Sequence, residues 1–134
     1  MSLYQIVLRL ARNPEYPDGD DSQGYVIVAP LDKADKLDPA GWIANRDACT
    51  VIRFKPGTEH DADGLLTHKG SNWFFHYDAP EEGDDEPVFR LGDHRLALGD
   101  YVTVHEGDGE VLTYRVAQRT EFHFPANASL KERT

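Results

Sequence analysis

The chain has 134 residues, of which 40% are hydrophobic and 28% are charged, ordinary proportions for one globular domain. Its formal net charge of −10 opposes binding to nucleic acid, because that binding depends on lysine and arginine side chains that neutralise phosphates. The same charge opposes an anionic membrane surface, and no apolar run approaches the ~20 residues that span a bilayer. Neither nucleic acid nor a membrane is therefore a predicted partner.

The cysteine content and the N-terminus bear on the compartment. Cys49 is the only cysteine, which excludes an internal disulfide and any multi-cysteine zinc site. The N-terminal residues lack the basic segment and the small-residue cleavage site of a signal peptide. We therefore expect a cytoplasmic protein.

The first third of the chain predicts two strands and a short helix. Apolar side chains alternate with polar ones over residues 4–10, the pattern of a half-buried strand. Residues 24–29 are apolar on both faces, which predicts a central strand. Asp38 before Pro39 is a helix N-cap followed by a residue favoured at the first helical position. We expect a helix over about residues 39–46, anchored in the core by Trp42.

A hairpin is predicted from residues 64–68 and 73–77, with a turn centred on Gly70 and Ser71. This register pairs Leu66 with Phe75 and Gly64 with Tyr77. Both faces of the ribbon then carry apolar side chains, so we expect a second layer, or another copy of the chain, to cover it. Trp73, Phe75 and Tyr77 share one face of this hairpin. Core packing is the favoured interpretation of this aromatic face, and the alternative is that the three side chains line a pocket for an apolar or planar ligand.

A second hairpin is predicted from residues 100–105 and 111–116. A three-residue loop over 107–109 pairs Val104 with Leu112 and Val102 with Tyr114, which places the apolar side chains on one face. Residues 87–91 and 94–98 are predicted to form a further strand pair that turns at Gly92 and Asp93.

These segments predict a mainly β fold, an antiparallel β-barrel or sandwich of about eight strands with one short helix. The links between strands are too short for the crossovers of a parallel sheet. Residues 1–134 are predicted to form a single domain, with residues 118–134 as a partly mobile C-terminal extension. Strand pattern alone does not choose between barrel and sandwich.

Two groups of residues are candidates for a metal site. Glu59, His60, Asp61 and Asp63 form the densest mixed cluster of ligand types, from which Glu59, His60 and Asp63 are the candidate ligands. His105 and Glu106 are expected near a barrel rim. The six histidines show no HxH or HExxH spacing, so ordinary surface or core histidines are the favoured interpretation. The sequence leaves any cofactor unknown.

The remaining motifs concern charge and nucleophiles. Residues 81–86 place five carboxylates within six positions, a density typical of a solvated loop that is also able to bind a basic protein. No nucleophile elbow, phosphate-binding loop or dinucleotide motif is present. Cys49 begins an apolar strand, where a thiol is usually inert.

Residues 41–54 (GWIANRDACTVIRF) and 90–104 (RLGDHRLALGDYVTV) resemble a family of small bacterial proteins that has no assigned activity. The resemblance covers residues 4–118. It implies no active-site residues.

The leading hypothesis is a non-catalytic cytoplasmic module that binds a ligand or a protein, either a second copy of itself or a basic partner. The alternative is a small metal-dependent enzyme that uses histidine and carboxylate ligands to activate water.

Overall fold

Eight antiparallel strands close into a single barrel in the computed structural model, which describes residues 2–57, 62–70, 72–78, 85–89, 91, 95–106 and 110–122. Each strand pairs with the next along the chain, and β8 returns to pair with β1. The strands are β1 (Ser2–Leu10), β2 (Asp20–Leu31), β3 (Thr50–Phe54), β4 (Ala62–Lys69), β5 (Asn72–Tyr77), β6 (Glu86–Phe89), β7 (Tyr101–His105) and β8 (Val111–Phe122). Helix α1 (Pro39–Ala44) and a 3₁₀-helix (Arg46–Ala48) lie between β2 and β3. The predicted antiparallel fold with one short helix is confirmed, and the barrel is the form it takes.

The lumen of the barrel is the hydrophobic core. Alternate residues along each strand point inwards, because successive side chains of a strand lie on opposite faces of the sheet. The inward residues are buried and mostly large: Ile6, Leu8, Tyr25, Ile27, Val51, Leu66, Phe75, Val88, Val104 and Tyr114.

Both hairpin registers that the side-chain faces predicted are confirmed. In the β4–β5 hairpin Leu66 pairs with Phe75 and Gly64 with Tyr77. In the β7–β8 hairpin Val104 pairs with Leu112, and the inward set continues from there into β1. Burial of one face therefore fixed the register of both hairpins.

The predicted strand over residues 94–98 is wrong. Its described part, residues 95–98, lies outside any strand, and β6 pairs directly with β7. Leu96 is buried, and its N–H donates to the carbonyl oxygen of Asp35 at 2.8 Å. This segment is apolar because Leu96 covers the core from a loop, which sequence alternation alone does not distinguish from a strand.

The C-terminal boundary also differs from the prediction. Strand β8 continues to Phe122, because its second half pairs with β1 in the register Leu3 with Phe122. The predicted extension over residues 118–134 therefore begins inside a strand, and its residues 123–134 lie outside the described part of the chain.

Helix α1 lies over one end of the lumen, here called the closed end. It begins as predicted, because the Asp38 carboxylate accepts hydrogen bonds from the N–H groups of Ala40 and Gly41, and it ends at Ala44. The Trp42 indole donates to the carbonyl oxygen of Leu66 at 2.8 Å and packs edge-on against Trp73 inside the barrel. The predicted anchoring role of Trp42 is confirmed.

The opposite end, here called the acidic end, carries an excess of acidic side chains. The chain passes there from β1 to β2, from β3 to β4, from β5 to β6 and from β7 to β8. The described residues of these four links, 11–19, 55–57, 78, 85, 106 and 110, contain six acidic and two basic residues. Their formal charge is therefore −4.

Candidate functional site

The inward-facing residues change from apolar to polar at the acidic end. Strand registers align Tyr25 with Arg53, Phe75 with Glu86 and Val102 with Tyr114, all on the lumen face. We call this set the polar layer; it consists of Gln23, Tyr25, Arg53, Lys55, Tyr77, Glu86, Glu106 and Tyr114. Below it, towards the closed end, the lumen side chains are predominantly aliphatic and aromatic.

Glu86 is the most deeply buried charge of the polar layer, with 1% of its side chain exposed. Its Oε1 accepts hydrogen bonds from the hydroxyls of Tyr25 and Tyr77, and its Oε2 lies 3.1 Å from Nη1 of Arg53. Arg53, 14% exposed, lies over the Tyr77 ring with its guanidinium carbon 4.4 Å from the centroid. The carboxylate is thus hydrogen-bonded by tyrosines on one oxygen and by a cation on the other.

Glu106 repeats this arrangement at the start of the β7–β8 link. Its Oε2 accepts a hydrogen bond of 2.6 Å from the Tyr114 hydroxyl, and its Oε1 lies 3.2 Å from Nζ of Lys55. The carboxylate side chain is 2% exposed and the lysine side chain is 31% exposed. The cation of this pair is therefore the member that reaches water.

The tyrosine hydroxyls of the polar layer are held in their neutral form. Burial raises the pKa of Tyr25 far above its ordinary value. Burial and the neighbouring Glu86 carboxylate raise the pKa of Tyr77, and burial and the hydrogen bond to Glu106 raise that of Tyr114. All three hydroxyls therefore remain hydrogen-bond donors to the carboxylates across the physiological pH range.

The buried polar side chains of this region all form hydrogen bonds, among the residues that the structure describes. No buried side-chain nitrogen or oxygen there lacks a hydrogen-bond partner. Such completeness matters in a lumen, where an unpaired carboxylate would be far costlier than a paired one.

The three aromatic candidates lie at different depths of the lumen. Trp73 stacks on the His68 ring with centroids 4.1 Å apart, and the Phe75 ring packs against Tyr25 at 4.9 Å. These two fill the interior, as expected of an eight-stranded barrel whose width just accommodates its side chains. Of the three, Tyr77 belongs to the polar layer. Their joint role in binding a ligand stays a prediction.

The metal candidates are not gathered into one cluster where the structure describes them. Glu59 and His60 lie outside the described residues, and Asp63 is exposed on the outer face of β4. His105 is exposed outside the barrel, whereas Glu106 is buried inside it, so these neighbours face opposite sides of the wall. Within the described ranges no group of three His, Cys, Asp or Glu side chains is arranged to hold an ion. The metal hypothesis stays a prediction.

The polar layer was partly missed by sequence reasoning. Residues 81–86 are predicted as a solvated loop, but Glu86 begins β6 and is buried. Strand register is the feature that identifies the two buried charges. Glu86 lies opposite Phe75, and Arg53 lies opposite Tyr25, so both occupy inward positions. A charge at an inward position of an otherwise apolar strand indicates a buried polar site.

The outer wall of the barrel carries a groove and a partly apolar face. A groove of about 530 Å³ on the outer wall is lined mainly by polar side chains, among them Arg12, Tyr101 and Arg115. On the outer face of β4 and β5, Leu65 and Phe74 are half-buried. Self-association through that face stays a prediction.

Among the described residues no helix has the length and apolar composition needed to cross a membrane. Comparisons with protein-family models, with curated proteins and with solved structures find no match. The chemistry of the polar layer is therefore the basis for a functional conclusion.

Proposed function

We propose that the protein is a non-catalytic ligand-binding module whose site is the polar layer, with the acidic end as its opening. The observation that carries this proposal is the pair of buried carboxylates, Glu86 and Glu106: each is paired with a cation, and they accept hydrogen bonds from two tyrosine hydroxyls and one, respectively. Moving an ion from water into a protein interior costs several kcal/mol, and ion pairing only partly offsets it. Stability alone is a weak reason to place four charges in a lumen that apolar residues would fill.

The architecture supports the same conclusion. Small β-barrels bind ligands at their mouths, and ligand sites combine apolar walls with a few polar groups that fix orientation. Here the rings of Tyr25, Phe75 and Tyr114 form a wall of packed aromatics directly beneath the charged groups. Helix α1 covers the other end through Trp42, which leaves the acidic end as the side from which a ligand approaches.

The test is a screen of small polar and amphipathic compounds against the full chain, read by amide chemical shifts. Binding in the polar layer shifts the amides of Arg53, Glu86 and Tyr114, and Glu106→Gln removes the shifts. The matched control is Glu121→Gln, which changes an exposed carboxylate of β8 and retains the amide shifts. Compounds that shift only the outer groove around Tyr101, or a screen with no binder, would contradict the proposal.

A different measurement distinguishes the binding module from the alternative, a metal-dependent enzyme. Elemental analysis of untagged protein, followed by thermal denaturation with added divalent ions, reports whether a metal is bound. Stoichiometric metal that is lost in a Glu59→Ala/His60→Ala variant would favour the enzyme over the binding module.

A further inference from the structure

We propose that the ligand of the polar layer is an organic cation carrying a primary ammonium group, which binds Glu106 in exchange for the Lys55 side chain. This inference rests on the proposed binding function and adds the chemical class of the ligand. It follows from which partner of each buried ion pair is able to leave.

The two members of the Glu106–Lys55 pair differ in freedom. Glu106 is buried, and the Tyr114 hydroxyl holds its second oxygen at 2.6 Å. Lys55 follows the end of β3, is partly exposed, and carries its ammonium on a flexible four-carbon stem. When this pair opens, the ammonium moves into water and the carboxylate stays in place. The group that then completes the pair is another cation.

The second pair is built to stay closed. The Arg53 guanidinium is mostly buried, lies over the Tyr77 ring and contacts Glu86. Burial opposes its charge, but its interactions with Tyr77 and Glu86 outweigh that effect, and the pKa of Arg53 is raised. Arg53 and Glu86 therefore form a fixed floor, and exchange is confined to Glu106.

The displaced side chain also defines the shape of the ligand. The space that Lys55 vacates is that of an unbranched four-carbon chain ending in an ammonium, so a linear alkylammonium replaces it without repacking the rings of Tyr25 and Tyr114. A branched primary ammonium lacks the fit, and a quaternary ammonium has no N–H group to donate to the Glu106 carboxylate.

The charge of the acidic end sets how such a ligand arrives. The formal charge of −4 on the described residues of the four links attracts cations towards the opening and repels anions, and salt weakens both effects. An anionic ligand would need to displace carboxylates that are fixed inside the barrel. This field assists the exchange at Glu106, but the proposal is based on the Glu106–Lys55 pair itself.

The experiment titrates n-butylammonium and, separately, butyrate into the full-length protein, with amide shifts at Glu106 and Tyr114 as the readout. The variant Lys55→Met removes the internal competitor, so butylammonium binds about tenfold more tightly than to the parent protein. Lys69→Met, an exposed lysine at the far end of β4, is the matched control and leaves the affinity unchanged. Glu106→Gln abolishes binding in the polar layer.

Each of the following results would contradict one part of the proposal. Equal butylammonium affinity in the parent and in Lys55→Met overturns the exchange. Butyrate shifting the same amides in preference to butylammonium overturns the cation class and leaves the binding function standing. If neither probe and no library compound shifts the polar layer, the proposed function itself fails. Glu106→Gln removes the carboxylate that pairs with Lys55, so the fold of this variant is checked by circular dichroism. If the variant is unfolded, the double variant Lys55→Met/Glu106→Gln is used in its place.

Discussion

Replacing Arg53 with methionine tests whether the lumen holds a buried ion pair. The substitution keeps an unbranched side chain but removes the cation that lies 3.1 Å from Glu86. Breaking a buried pair by removing one partner typically costs 3–5 kcal/mol, because the other charge is left without compensation. Since Tyr25 and Tyr77 still donate to the carboxylate, we expect a loss near the lower limit, about 3 kcal/mol, or roughly 10 °C in Tm for this chain length.

The chain offers a matched pair for comparison. Arg95 and Asp100 are separated by the same 3.1 Å, but their side chains are 62% and 26% exposed. Ion pairs on the surface contribute little to stability, so Arg95→Met should leave Tm within experimental error. Urea denaturation at pH 7 followed by circular dichroism, with both variants and the parent protein, supplies the free energies of unfolding.

A double variant separates pairing from packing. Replacing both partners, as in Arg53→Met/Glu86→Gln, leaves no uncompensated charge and should recover most of the loss. The reasoning is refuted if Arg53→Met unfolds at the same urea concentration as Arg95→Met, or if the double variant is less stable than Arg53→Met alone.

Three further predictions concern groups whose environment the structure defines. Because burial raises the pKa of Tyr25, Tyr77 and Tyr114 in the folded state, their contribution to stability should be constant below about pH 10 and be lost above it. Absorbance at 295 nm should show these tyrosines ionising only as the fold is lost, and smooth ionisation with the fold intact contradicts this. Burial raises the pKa of Cys49 to about 12, so a thiol reagent at pH 8 should react only after denaturation, and rapid labelling of the native protein would disprove the buried position. A Cβ at Gly64 would lie 2.1 Å from the carbonyl oxygen of His76, so Gly64→Ala should lower the free energy of unfolding by about 2 kcal/mol, and an unchanged urea midpoint would show that the strands there are further apart.

Much of the barrel was predictable because its links are short. A hairpin register needs only the knowledge that one face is buried, so the pairing of Leu66 with Phe75 follows from neighbouring residues. Closure requires β1 to pair with β8, whose residues are more than 100 positions apart, and no local pattern specifies such a contact. Residues 94–98 were assigned to a strand because a buried loop leucine has the same local signature as a strand leucine.

The polar layer was harder to predict from the sequence, because its contacts also join residues that are far apart in the chain. Its members run from Gln23 to Tyr114 in sequence and come together only when the sheet closes. Glu106 and Tyr77 were singled out as candidates, but for metal binding and for aromatic character. Glu86 belonged by sequence to an acidic run, and only its strand register shows that it points into the lumen.

The position of Trp42 has a consequence for how helix α1 separates from the barrel. The indole donates to the Leu66 carbonyl oxygen of β4 and packs edge-on against Trp73 of β5, so one side chain joins the helix to two strands. Detaching the helix would break this hydrogen bond and expose both indoles to water together. Opening of this end of the barrel and the environment of the two tryptophans are therefore coupled.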